Sequence, residues 1–144
     1  MSNNSNEQAG RPSIGVATVV VKDGLVLIGE DTRKGEMICG VPGGHWENGE
    51  TLKECAMREV KEESGVICKD ASLISVYDFY RPDKQKSYIT IGMKAVYESG
   101  ELTDLHEEGR LNWTWHTPEE ALKLNLFAPD RILLERYLSG VIYE

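Results

Sequence analysis

Residues 51–65, Thr-Leu-Lys-Glu-Cys-Ala-Met-Arg-Glu-Val-Lys-Glu-Glu-Ser-Gly, constrain this chain more than any other stretch. Thr51 and Glu54 form a capping box, in which the threonine hydroxyl and the glutamate side chain satisfy each other's backbone N–H groups. Gly65 supplies the residue that ends a helix in a left-handed conformation, so the pattern predicts a helix over Leu52–Ser64. At about 100° per residue, Leu52, Ala56 and Val60 fall at about 0°, 40° and 80°, a stripe that must face a core. Glu59 and Glu63 fall at about 340° and 20°, and Glu62 at about 280°, so three carboxylates turn toward that same side. Lys61, Glu54 and Arg58 take the far side, between about 180° and 240°. Like charges, partial desolvation and the negative end of the helix dipole all oppose this arrangement. A divalent cation held by oxygen ligands, Mg²⁺ or Mn²⁺, removes the penalty; a solvated acidic face is the plainer alternative.

The remainder of the chain must build the core that such a helix packs on. The β-branched run at 14–21 has the length of a buried strand, Lys22-Asp23-Gly24 is turn chemistry, and residues 25–28 return as the second arm of a hairpin. A polar loop leads to the short apolar piece at 37–41, and Pro42-Gly43-Gly44 follows as backbone that side chains would obstruct. Residues 71–80 and 87–97 read as two long strands joined by the polar turn 81–86, and 111–115 as a short aromatic strand. Thr117-Pro118-Glu119-Glu120 is a second capping box opening a short helix, and 131–137 reads as a last helix. Strands and helices interleave without repeat or linker. The expected organisation is a flexible tail over residues 1–12 and one α/β domain with a mixed sheet over 13–144.

The surroundings of the acidic helix carry a longer pattern. Gly44 is followed by five residues and Glu50, then by seven residues and Arg58-Glu59-Val60-Lys61-Glu62-Glu63-Ser64-Gly65-Val66. This resembles, without departure, the signature box of the Nudix hydrolases. Pro42-Gly43-Gly44-His45 at its entrance, the hairpin before it and the Trp113-x-Trp115 strand after it extend the resemblance.

The resemblance implies an α/β/α sandwich with a mixed central β-sheet, and hydrolysis of a nucleoside diphosphate linked to another moiety. It implies Mg²⁺ as cofactor, with Mn²⁺ as substitute. By position, Glu59, Glu62 and Glu63 look like the metal ligands, with Gly43 bringing its backbone close. Glu50 is expected to pair with Arg58 and brace the motif. Water must attack phosphorus in a polyanion, so a base is needed. Within the box that is Glu62 or Glu63; outside it, Glu107 or Glu108 occupies the place from which the family often supplies a glutamate. Further marks resemble the MutT-type nucleoside triphosphate pyrophosphatases, which release pyrophosphate and a monophosphate. On that likeness Arg33, Lys34, Gly44 and His45 are candidate phosphate or base contacts, and Trp115 or Phe127 a wall of the base pocket. The alternatives are an ADP-ribose or nucleotide-sugar pyrophosphatase, toward which Pro82 points, and a nucleotide-binding module without catalysis. The intact set of acids favours an enzyme.

Composition narrows the partners. The 144 residues carry 16 Lys and Arg against 24 Asp and Glu, a net charge of −8. Such a surface repels nucleic acid polymers, but bound cations can reverse the local field for a small nucleotide. Three cysteines without C-x-x-C spacing argue against a disulfide framework and fit the cytoplasm. No apolar run suits a membrane span. A homodimer is the assembly that the family likeness implies.

Overall fold

The β-branched run becomes β1 (Ser13–Lys22), turned by Asp23 and Gly24 into β2 (Leu25–Asp31). Both turn residues have positive φ, 51° and 78°, the combination that a tight hairpin between right-twisted strands demands. The computed structural model describes residues 10–32, 34–103 and 111–143. Of the expected tail, 1–9 lie outside the described residues, and exposed Gly10, Arg11 and Pro12 lead into β1.

After β2 come β3 (Ile38–Gly40), β4 (Gly43–His45) and α1 (Leu52–Ser64). The long hairpin β5 (Ile67–Arg81) and β6 (Lys86–Ser99) follows, then β7 (Leu111–His116), the short α2 (Pro118–Ala121) and α3 (Ala128–Ser139). The strands form one mixed sheet along the path β3-β2-β1-β6-β5, with β4 paired to β1 and β7 to β2. β1 runs parallel to β6, and the other pairings are antiparallel.

Both faces of this sheet are covered, which is why β1 reads as a continuous apolar run. Val16, Val20, Leu27, Met93 and Ala95 face α1, where Ala56 and Val60 meet them. Val19, Val26, Ile28 and Tyr77 face the other way, against Ala121, Leu133 and Leu134 of the C-terminal helices. Fully burying one such aliphatic side chain contributes about 1.5–3 kcal/mol. The result is an α/β/α sandwich, with the acidic helix as one outer layer.

Several boundaries differ from the sequence expectation, and three of them bear on the site. Gly43–His45, expected as irregular backbone, pairs with Gly15–Ala17 of β1. Two of its three residues lack side chains, so no alternation could reveal the strand. β5 starts at Ile67 instead of 71, because the reversal at Gly65 delivers the chain straight into the sheet, and it keeps its length through several register shifts. α3 starts at Ala128 instead of 131, with Pro129 in its first turn and Phe127 as a cap without a side-chain hydrogen bond. Beyond α3 the chain returns to the outer edge of β5, where Ile142 O accepts from Val76 N (2.9 Å) and Ser75 Oγ (2.6 Å).

Cys39, Cys55 and Cys68 are buried free thiols. Among the described residues, no helix is long and apolar enough to cross a membrane.

Candidate active site

Two tight fixings present the acidic end of α1. At its start, Glu54 N donates to Thr51 Oγ1 (3.1 Å) and Thr51 N to Glu54 Oε1 (2.8 Å). At its end, Gly65 takes φ 85° and donates its N–H to Lys61 O (3.0 Å). The strand β4 lies beside the helix. Gly44 lets the Glu59 carboxylate lie against the strand, where a Cβ would displace it.

Arg58 organises the surrounding charge. Its Nε and Nη2 donate to the two oxygens of Glu50 (2.9 and 2.8 Å), which holds the Glu50 carboxyl down at about 2. Nη1 donates to Glu59 (2.8 Å) and Glu62 (3.2 Å), and Nη2 also reaches the His45 carbonyl (3.2 Å). The helical wheel sets Arg58 on the solvent side, but its long side chain folds back to these acceptors and is only 23% exposed. Glu62 differs from the inward orientation expected for it: its side chain is 59% exposed.

Glu63 is the more buried acid of the helix's last turn. It accepts a hydrogen bond from Gly43 N (2.8 Å). Burial pushes its carboxyl up to about 8, opposed by the Gly43 bond and reinforced by the neighbouring Glu59 and by Asp130. Arg58 neutralises Glu59, and the buried Glu63 beside it keeps a penalty for ionisation that a cation would relieve. Among the described residues, no group of three His, Cys, Asp or Glu side chains stands ready-made to hold a metal ion. The chemistry nevertheless fits a hard divalent cation: carboxylate oxygens predominate, and the bare Gly44 leaves the backbone room beside Glu59.

Two cavities open next to these acids. One of about 330 Å³ is lined by Gly43, Gly44 and His45 on one side and by Phe79, Arg81, Lys84, Tyr88, Phe127 and Asp130 on the other. A second, of about 280 Å³, includes Lys34, Glu63, Trp113, Arg81 and Phe127. Gly44, His45, Lys34 and Phe127 therefore all line a cavity. Trp115 does not line either: it packs edge-on against Tyr97 (5.9 Å between centroids) with Lys22 above it, and Trp113 is the tryptophan that faces the second cavity. Arg33, Glu107 and Glu108 lie outside the described residues. Glu62 borders a separate, open depression with Arg58 and Lys61.

Sequence reasoning missed Phe79, Arg81 and Asp130. Phe79 and Arg81 alternate with Tyr77 along one face of β5, a period-2 signal that was present but had no known destination. Asp130 is 8% exposed, accepts from Val41 N (3.0 Å), and is pushed up to about 7 by burial. It sits in the first turn of a helix whose start the sequence did not reveal.

The comparisons with known proteins agree with this fold. The NUDIX domain model matches residues 10–137. The phosphatase NudJ of Shigella boydii is 32% identical over 120 residues, covering 83% of this chain and 78% of that protein. A MutT NUDIX hydrolase from Burkholderia pseudomallei superposes with a TM-score of 0.77 at 25% identity, over 88% of this chain and 98% of its own. A NUDIX hydrolase from Nitrosomonas europaea shares the fold with a TM-score of 0.78 at 23% identity, over 92% and 93%. With the capped acidic helix, its brace and a matching domain over most of its length, the chain belongs to the NUDIX family and is an enzyme of the Nudix hydrolase class.

Proposed function

We propose that this enzyme hydrolyses a (deoxy)nucleoside triphosphate to the monophosphate and pyrophosphate with Mg²⁺, Mn²⁺ serving as substitute. The observation that carries this reading is the cavity of about 330 Å³ lined by Gly43 and Gly44, the β4 residues that lie against Glu63 and Glu59 of the acidic helix. Its apolar lining includes Phe79 and Phe127, whose centroids lie 6.4 Å apart. Such a lining suits a flat nucleobase, and the acids next to it suit a cation-bound phosphate chain.

In this reading Glu59, Glu62 and Glu63, with the Gly43 backbone, hold the cation. Bound there, a divalent cation supplies charge neutralisation and a more acidic water. Glu50 and Arg58 keep the helix and the β4 loop in register. Gly44 lets the backbone approach, and Lys34, His45 and Arg33 meet phosphate oxygens. Phe127 walls the base. The proton acceptor is one of Glu62, Glu63, Glu107 and Glu108, and it must lie within hydrogen-bond reach of the attacking water. Trp115 has no contact with either cavity and is assigned to packing.

Product analysis tests the reading. A panel of triphosphates, ADP-ribose and nucleotide sugars is incubated with Mg²⁺, and pyrophosphate, orthophosphate and monophosphate are measured separately. Pyrophosphate from a triphosphate supports the proposal. Orthophosphate as the only inorganic product moves the enzyme toward the activity in its NudJ relative's name. AMP with ribose 5-phosphate from ADP-ribose alone sinks the triphosphate assignment. Glu62→Gln is expected to lower kcat by about 10²-fold or more with an unchanged unfolding midpoint; near-normal turnover would remove Glu62 from its role.

A further inference from the structure

The tip of the β5–β6 hairpin places an ion pair where the two cavities meet. Arg81 closes β5, donating from Nε to Asp83 Oδ1 (3.2 Å) and from Nη2 to Oδ2 (2.7 Å). Its guanidinium carbon lies 5.6 Å from the centroid of the Phe127 ring, stacked as a cation over an aromatic face. Arg81 and Phe127 both line the cavity that holds Gly43 and Gly44, and both line the one that holds Glu63. Lys84, from the same turn, adds a second cation to the first cavity. In a chain of net charge −8 this cationic pair beside the acidic helix is a local reversal of sign.

Asp83 lines neither cavity, and its side chain is 61% exposed. The Asp83 end of the pair lies toward solvent, whereas the Arg81 side chain is 22% exposed and reaches both cavities. The planar fork of a guanidinium accepts phosphate with the same two-point geometry as carboxylate.

We propose that Arg81 is a substrate-binding residue that exchanges the Asp83 carboxylate for anionic oxygens of the substrate's phosphate chain. Phe127 is the platform on which the guanidinium stays over the junction while it changes partner. Asp83 is a stand-in anion: it holds the fork in two-point geometry before substrate arrives and competes with substrate for it. The turn 81–86 thereby selects ligands that carry negative charge next to the base, nucleotides over nucleosides. This inference rests on the nucleotide reading above.

The test is a titration of a panel of α,β-methylene nucleoside triphosphates, and of the matching uncharged nucleosides, into the wild type, Arg81→Gln, Arg81→Lys, Asp83→Asn and the Arg81→Gln/Asp83→Asn double variant. Arg81→Gln is expected to weaken triphosphate binding about tenfold to a hundredfold, the loss of a charge-assisted contact, and to weaken nucleoside binding far less. Arg81→Lys falls between, since it keeps charge and loses the fork. Asp83→Asn is expected to tighten triphosphate binding about two- to fivefold, a gain that a structural role for the pair does not produce. That gain is absent in the double variant. Unchanged or weaker binding by Asp83→Asn overturns the exchange, and equal losses for triphosphate and nucleoside in Arg81→Gln reduce Arg81 to a wall of the pocket. Wild-type protein that binds no triphosphate analogue overturns the nucleotide reading together with this inference. Tight binding indifferent to every variant overturns only the role of Arg81.

Discussion

At the scale of single residues, the buried acid Asp130 carries a measurable cost. Burial pushes its carboxyl from the usual 3.8 up to about 7, and the Val41 N–H opposes that only in part. Glu63, pushed up to about 8, and the Tyr77 hydroxyl, also raised, are the titratable groups electrostatically coupled to it. A carboxyl whose pKa is higher folded than unfolded contributes stability that is fully present below about pH 4 and is lost as pH rises through about 7. Unfolding free energy measured in urea is therefore expected to fall between about pH 4 and 8, on the order of a few kcal/mol. Asp130→Asn, which cannot ionise and still offers Val41 an acceptor, is expected to flatten part of that fall, with Glu63 contributing the same sign to what remains. Parallel pH profiles for the two proteins would show that Asp130 is not the source. Nothing in the sequence announced this residue. Helical periodicity placed Glu59 and Glu63 toward the packing face, but it could not follow the flexible side chain of Arg58 back to Glu50, nor bury an aspartate whose helix began three residues early.

At the scale of elements, α1 was the most legible part of the chain because its two ends are specified by local chemistry. Thr51 and Glu54 satisfy each other's backbone groups, and only a residue tolerant of φ 85° fits at position 65. Thr51→Ala is expected to cost about 1 kcal/mol, a fall in the unfolding midpoint of about 2–4 °C. Gly65→Ala is expected to cost more, since its Cβ would lie 2.8 Å from both Glu101 O and Thr103 Oγ1 in addition to the backbone strain. Thermal unfolding followed by circular dichroism decides both, and a Gly65→Ala midpoint at or above that of Thr51→Ala refutes the ordering. The elements that were misjudged depend on distant partners. β4 is a strand because Gly15–Ala17 offers it a free edge, and α3 starts where Phe127 and Pro129 meet the cavity. Residues 43–45 and 128–130, read alone, hold no trace of either neighbour.

For the whole molecule, the clustered acids link stability to divalent cations. A ligand that binds only the folded state at ten times its dissociation constant stabilises by about 1.4 kcal/mol. Mg²⁺ at that level is expected to raise the unfolding midpoint of the wild type by about 2–5 °C, and to leave a Glu59→Gln/Glu63→Gln variant unmoved. An equal rise in both proteins would assign the effect to ionic screening of the net charge instead. The sheet path adds a consequence of a different kind. β1 pairs in parallel with β6, joining residues about half the chain length apart, and the whole of α1 lies within the loop so closed. Non-local pairing of this sort closes slowly, and only after its second strand exists. Synthesis completes the acidic helix before Phe79, Arg81, Phe127 and Asp130 are added to the chain. Chains terminated within 67–85, past α1 and short of β6, thus contain every residue of the signature box and are expected to be inert toward nucleotides.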